Sequence, residues 1–163
     1  MTIRVLFICC DNAARSQMAE HMLNHFSRGQ FDAKSAGTNP KPVHQLAIET
    51  LKELHIDASG ARSHHISEYA NEHFDYVINV CEQTRSTCDL SCSDSCPSFP
   101  GYGKRICWSF EDVTNDDGHE TERLKRFRDI RNEIANRIRI WMPAVEKHFG
   151  EKVHSMMHAG GMA

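Results

Sequence analysis

The 163-residue chain lacks the features that direct a protein to a membrane or a polyanion. No stretch approaches the ~20 consecutive apolar residues needed to span a bilayer. The opening "MTIRVLFIC" has too short an apolar run for a signal peptide and no small-residue cleavage site. A formal net charge of -3 argues against a dominant nucleic-acid or membrane role. There are no internal repeats and no linker-like stretch, so the expectation is one cytoplasmic domain over residues 1–150. The tail "EKVHSMMHAGGMA" (151–163) is expected to be disordered. Two narrower absences matter later: no cysteine pair has the C-x2-C spacing of common zinc folds, and no tyrosine follows Tyr102.

What is present is ordinary in bulk and unusual in cysteine. Hydrophobic residues at 40% and charged ones at 25% fit a soluble globular protein. Seven cysteines are odd in number, and in a reducing compartment they are free, metal-bound or redox-active rather than structural staples. "IRVLFIC" (3–9) is a β-branched and aromatic run that predicts a buried strand. Met18, Met22, Leu23 and Phe26 then share one helical face. "FDAKSAG" predicts a second strand, "DYVINV" (75–80) a third and "KRICWSF" (104–110) a fourth. Helices are expected after "NPKP", with Val43, Ala47, Leu51 and Leu54 as the stripe, and more briefly around "ISEYANEH". Leu124, Phe127, Ile130, Ile134, Ile138 and Trp141 mark the last helix, which Pro143 should kink or restart and Gly150 should end. Strands alternating with helices predict an α/β fold: an open four-stranded parallel sheet with helices on both faces, a Rossmann-like three-layer arrangement.

In such a sheet, ligands bind at the carboxyl ends of the strands. The first strand ends at Cys9 and a helix opens near Arg15, so the turn between them gathers backbone N–H groups and the positive helix end into one bowl. A tetrahedral oxyanion fits there, cradled by Cys10, Asp11, Asn12, Ala13, Ala14, Arg15 and Ser16, with the Arg15 fork on two of its oxygens. The same field should lower the pKa of Cys9 and hold it as thiolate. Asn12 suits the left-handed geometry of a tight turn. A passive strand-end cysteine followed by a surface arginine is the competing reading, and the strand–turn–helix context weighs against it.

Cys9, Asn12, Arg15 and Ser16, continued by "SQMAE" and joined by "SAG" at 35–37, resemble the low-molecular-weight protein tyrosine phosphatase fold, and within it the thioredoxin-coupled arsenate reductases. The likeness runs from about residue 3 to 149. It implies Cys9 as nucleophile and Arg15 as oxyanion binder, arsenate as substrate with phosphate or sulfate as competitors, thioredoxin as reductant, and no cofactor or resident metal. Asp11 stands where the family has Gly, which weakens anion binding unless its carboxylate points outward. Ala14 replaces a family cysteine, a change that leaves the chemistry intact. Cys10 is an extra neighbour of the nucleophile, either a passive core residue or an oxidative partner through a strained vicinal disulfide.

A phosphatase and a reductase share this bowl, and further thiols separate them. "CEQTRSTCDLSCSDSCP" supplies Cys81 at the end of the third strand, on the same sheet edge as Cys9, then Cys88, Cys92 and Cys96. The resemblance implies a relay in which Cys81 attacks Cys9 and expels arsenite, after which Cys88 attacks Cys81 and carries the disulfide to thioredoxin. Family spacing picks Cys88; the family's Pro after that cysteine picks Cys96. Were the segment helical, Cys81 and Cys88 would lie roughly 10 Å apart, beyond the ~7 Å that a disulfide tolerates, so it must unwind. The rival is structural zinc on Cys81, Cys88, Cys92 and Cys96. Cys107 is expected in the core.

The acid is expected in "WSFEDV", where Asp112 takes the family's Asp position, Val113 replaces its Pro, and Glu111 is the alternative. Family phosphatases follow this Asp with tyrosines; their absence favours the reductase, with hydrolysis of phosphomonoesters through a phosphocysteine as the alternative function. Asn12, Glu20 and Ser35 match a monovalent-cation site found in some members, but Arg62 and His64 occupy its Thr and Asp positions, so Arg62 is expected to pair with Glu20 and no potassium to be required. Arg123, Lys125, Arg126, Arg128, Arg131, Arg137 and Arg139 on the final helix read as a solvated face rather than a nucleic-acid surface.

Overall fold

A computed structural model describes residues 2–81, 99–115 and 118–159, with side chains to residue 152. Four strands form one parallel sheet in the order β2-β1-β3-β4: β1 Ile3–Cys9, β2 Phe31–Gly37, β3 Tyr76–Asn79 and β4 Lys104–Cys107. β1 is central because it is apolar on both faces, Val5, Leu6 and Phe7 all being buried. It pairs with β2 from Ile3↔Phe31 to Cys9↔Gly37 and with β3 from Val5↔Tyr76 to Ile8↔Asn79. The chain turns one way after β1 and the other way after β2, so the end of β1 is the topological switch point.

Side chains alternate across the sheet and found two cores. Ile3, Val5, Phe7 and Cys9 meet α1 (Arg15–Ser27), α2 (Gln45–Lys52) and α3 (Glu120–Ala159) on one face. Leu6, Ile8 and Val77 meet a short 3-10 helix, Ile66–Tyr69, with Phe74 and Phe99 on the other. The expected helical stripes are the buried ones: Met18, Met22 and Leu23 on α1, and Phe127, Ile130, Ile134 and Ile138 on α3.

Several expectations need correction. β4 stops at Cys107, and Cys107 is exposed rather than core, because the inward positions at this edge belong to Trp108 and Phe110. α3 runs through Pro143 and Gly150 to Ala159, so the tail expected to be disordered from 151 continues as helix to that point. Packing holds it past the proline: Val145 is buried, and Trp141 and Phe149 lie against the Tyr76 ring at 5.1 and 6.2 Å. The basic face of α3 is partly structural. Arg131 is buried and donates to Thr50 O at 2.8 Å and Glu53 Oε2 at 2.7 Å, clamping α3 to α2, while Arg139 and Arg137 cover the rings of Phe26 and Trp108.

Candidate active site

The bowl begins where β1 runs out of register partners. Cys9 is the last paired residue of β1, and α1 opens at Arg15 with Ala14 at its N-cap, no side-chain cap and no acidic residue in its first turn. Backbone N–H groups at such an end are directed toward a ligand. The carbonyls of the same turn are drawn the other way: Asn39 N donates to Cys10 O at 2.9 Å, Lys41 N to Asp11 O at 2.9 Å and His44 N to Ala13 O at 2.8 Å. With its oxygens committed to the 39–44 loop, the turn presents donors to the bowl.

Asn12 holds the turn in shape. It has φ 49, the left-handed conformation expected of it, and is fully buried. Its Nδ2 donates to Ser16 Oγ at 2.9 Å and Ser35 Oγ at 2.8 Å, and its Oδ1 accepts from His64 N at 2.8 Å and Gln17 Nε2 at 3.1 Å. Gln17 Nε2 and Ser63 Oγ also donate to Asn12 O, at 3.1 and 3.0 Å. Gly37 lies beneath: a Cβ there would stand 2.4 Å from Cys10 O and 3.0 Å from Asn12 N, both backbone atoms. Sequence reasoning missed Gln17 and Ser63; a glutamine next to Met18 on the buried face of α1 was the available signal.

Cys9 is buried, its Sγ 2.9 Å from Ser16 Oγ and 3.1 Å from the donating Asn12 N. Burial pushes the thiol up, whereas Ser16, the Asn12 N–H and the Arg15 guanidinium pull it down; the net direction is upward. The expectation of a lowered pKa is corrected on this point. Desolvation of a sulfur at the base of the bowl outweighs the local donors.

Arg15 is buried and reaches across to the loop after β4, donating from Nη1 to Phe110 O at 3.0 Å and lying 3.3 Å from Asp112 Oδ2 through Nη2. Buried Phe110 and Val113 fasten that loop on either side of Asp112, whereas Glu111 is exposed. Thr114 closes on the other carboxylate oxygen, donating to Asp112 Oδ1 from N at 3.0 Å and from Oγ1 at 2.7 Å. Burial raises the Asp112 pKa, but the two Thr114 hydrogen bonds and the charges of Arg15 and Lys41 hold it below the usual carboxylate value. Asp11 does not intrude on the bowl: its carboxylate pairs with Lys41 Nζ at 3.1 Å.

Cys81 is buried at the end of β3, within electrostatic reach of Cys9, yet the sulfur that touches it belongs to Cys10, at 3.9 Å. Burial, then the nearby Cys9 and Cys10, push its pKa strongly upward. Cys88, Cys92 and Cys96 lie outside the described residues. Among the described residues no cluster of His, Cys, Asp and Glu is arranged to hold a metal. Arg62 forms no ion pair with Glu20, against expectation; half-buried Glu20 instead accepts from Ser35 Oγ, and desolvation raises its pKa.

The model for low molecular weight phosphotyrosine protein phosphatases matches residues 4–151. The chain belongs to that family. It is 31% identical over 135 residues to the arsenate reductase of Halalkalibacterium halodurans, covering 83% of this chain and 91% of that protein. A thioredoxin-dependent arsenate reductase from Corynebacterium glutamicum has a similar structure, with TM-score 0.65 and 28% identity over 90% of this chain and 63% of that one. So does the low molecular weight protein tyrosine phosphatase of T. tengcongensis, at TM-score 0.65 and 27% identity over 88% of this chain and 99% of that one. No helix among the described residues is long and apolar enough to cross a membrane.

Proposed function

We propose that the chain reduces arsenate to arsenite through Cys9 and Cys81, with thioredoxin restoring the thiols in a reducing, cytoplasmic setting. The observation that carries this reading is a second buried thiol, Cys81, at the same sheet edge as a nucleophile in an oxyanion bowl. The curated relatives named arsenate reductase support it.

Arsenate enters the bowl with its oxygens on the N–H groups of residues 10–16 and on the Arg15 fork, which leaves Phe110 O and Asp112 for the ligand. Burial favours the proton on the Cys9 thiol, while the Thr114 hydrogen bonds and the Arg15 charge hold Asp112 below the usual carboxylate value despite its own burial. That proton passes to the departing arsenate oxygen, directly or through Asp112, as Cys9 Sγ attacks arsenic and water leaves. Cys81 then attacks Cys9 Sγ, its thiol proton passing to an oxygen of the departing arsenite. The Cys9–arsenic bond breaks with its electron pair going to arsenic, and arsenite leaves with a Cys9–Cys81 disulfide behind. Exchange with Cys88, or with Cys96, delivers that disulfide to thioredoxin.

Hydrolysis of phosphomonoesters is the second reading, favoured by the shared bowl and by the phosphatase neighbour. It needs water rather than Cys81 for its second step. The test is NADPH consumption with arsenate, thioredoxin and thioredoxin reductase. Turnover in the wild type that vanishes in C81S supports the reductase. Aryl phosphate hydrolysis without arsenate turnover replaces it with the phosphatase.

A further inference from the structure

The bowl uses only the backbone of residue 10, yet the chain places a thiol there. The pairing of β1 with β3 brings the chain just beyond the two strands together. Ile8 is opposite Asn79, and Val80 N donates to Ile8 O at 3.0 Å, carrying the ladder one residue past the end of β3. Cys10 and Cys81 each lie two residues beyond that last pair, and their sulfurs stand 3.9 Å apart, in van der Waals contact. A disulfide needs ~2.05 Å between sulfurs and about 5.5 Å between Cα atoms, a separation of the kind adjacent strands provide. Cys9 is 2% exposed at the base of the bowl, whereas Cys10 is only half-buried at its rim.

We propose that Cys10 is a second resolving thiol, which takes Cys81 from Cys9 and forms a Cys10–Cys81 disulfide at the rim. This rests on the arsenate reduction proposed above for its oxidant. Arsenate accepts two electrons and leaves as arsenite, and the Cys9–Cys81 bond holds the oxidation. Cys10 loses its proton to solvent, and its thiolate attacks Cys81 Sγ. The Cys10–Cys81 bond forms, the Cys9–Cys81 bond breaks, and Cys9 departs as thiolate with the electron pair of the broken bond. No further electrons are lost. The nucleophile is regenerated inside the bowl, and the disulfide moves to the more exposed sulfur, where a dithiol reductant attacks it. The exchange needs no residue between 82 and 98.

The test uses the full chain carrying C88S, C92S and C96S, reduced and freed of reductant. One sample receives one equivalent of arsenate. A second receives one equivalent of hydrogen peroxide, which takes the same two electrons from a thiol pair and ends as water. Both are quenched with N-ethylmaleimide, arsenite is counted, and disulfides are mapped by peptide mass spectrometry. The expected result is arsenite release with Cys10–Cys81 in about tenfold excess over Cys9–Cys81, reversed to Cys9–Cys81 when C10S is added. Arsenite release with Cys9–Cys81 as the sole product overturns the proposal. No arsenite in the first sample but Cys10–Cys81 in the second removes the reductase reading and sustains the Cys10–Cys81 pair as a redox site. Absence of that disulfide from both samples overturns the pairing itself.

Discussion

Cys9 and Cys81 end neighbouring strands of one sheet and are both buried, yet their surroundings differ in kind. Cys9 sits among donors: the Asn12 N–H, the Ser16 hydroxyl and the Arg15 guanidinium oppose the burial that raises it. Cys81 is raised by burial and by two neighbouring sulfurs, with the charge of Arg15 acting against them. A thiol among donors is fit to attack an anion first, and a thiol among thiols is fit to accept a disulfide afterwards. The order of the proposed chemistry is written in that contrast.

Substitutions should separate the two thiols. C9S should abolish both arsenate reduction and aryl phosphate hydrolysis, by ~10⁴-fold or more, since the nucleophile has no substitute. C81S should abolish arsenate turnover as completely while leaving aryl phosphate hydrolysis within about twofold of wild type. Equal loss of both activities in C81S would erase the distinction between the two thiols.

The acid comes next in size. D112N should lower kcat by about 10²-fold in whichever activity is assayed, and E111Q by less than about twofold, because only Asp112 faces Arg15. Comparable losses in the two variants would place the acid elsewhere.

Supports of the bowl have smaller effects. G37A forces a Cβ against Cys10 O and the Asn12 backbone, and should raise KM for arsenate and lower stability by roughly 1–3 kcal/mol, read by urea unfolding. Burial raises the Glu20 pKa in the folded state, so its contribution to stability is present below the unfolded carboxylate value and is lost as pH rises through the folded one. E20Q should therefore gain stability over wild type as pH rises above the unfolded carboxylate value, as thermal melts would show; a difference that does not change with pH would remove Glu20 from the titration.

The sequence was most legible where local pattern and topology agree. β1 and β2 have the expected bounds, and the fold class follows from strands alternating with helices. Asn12 takes the positive φ that its position demands, and the bowl lies at the turn where the cysteine, the arginine and the helix start point. The rest depended on contacts between distant segments. Cys107 has apolar neighbours in sequence but lies on an exposed edge, which only strand order decides. Pro143 and Gly150 are helix breakers by propensity, and the packing of Trp141, Val145 and Phe149 overrides them. The sign of the Cys9 shift is a balance between burial and hydrogen bonds that residue types cannot strike. The meeting of Cys10 with Cys81 is a contact between segments 71 residues apart just beyond the paired strands, and Thr114 went unread although the Asp-x-Thr spacing of an Asx turn was there to see.

The most direct test of the central claim is a single turnover. Fully reduced wild type and C81S are each mixed with excess arsenate in the absence of any reductant, and arsenite is counted per chain. The account predicts about one arsenite per wild-type chain and none from C81S, with two thiols lost in the wild type alone. Equal arsenite from both proteins, or none from the wild type while aryl phosphate is hydrolysed, would contradict it.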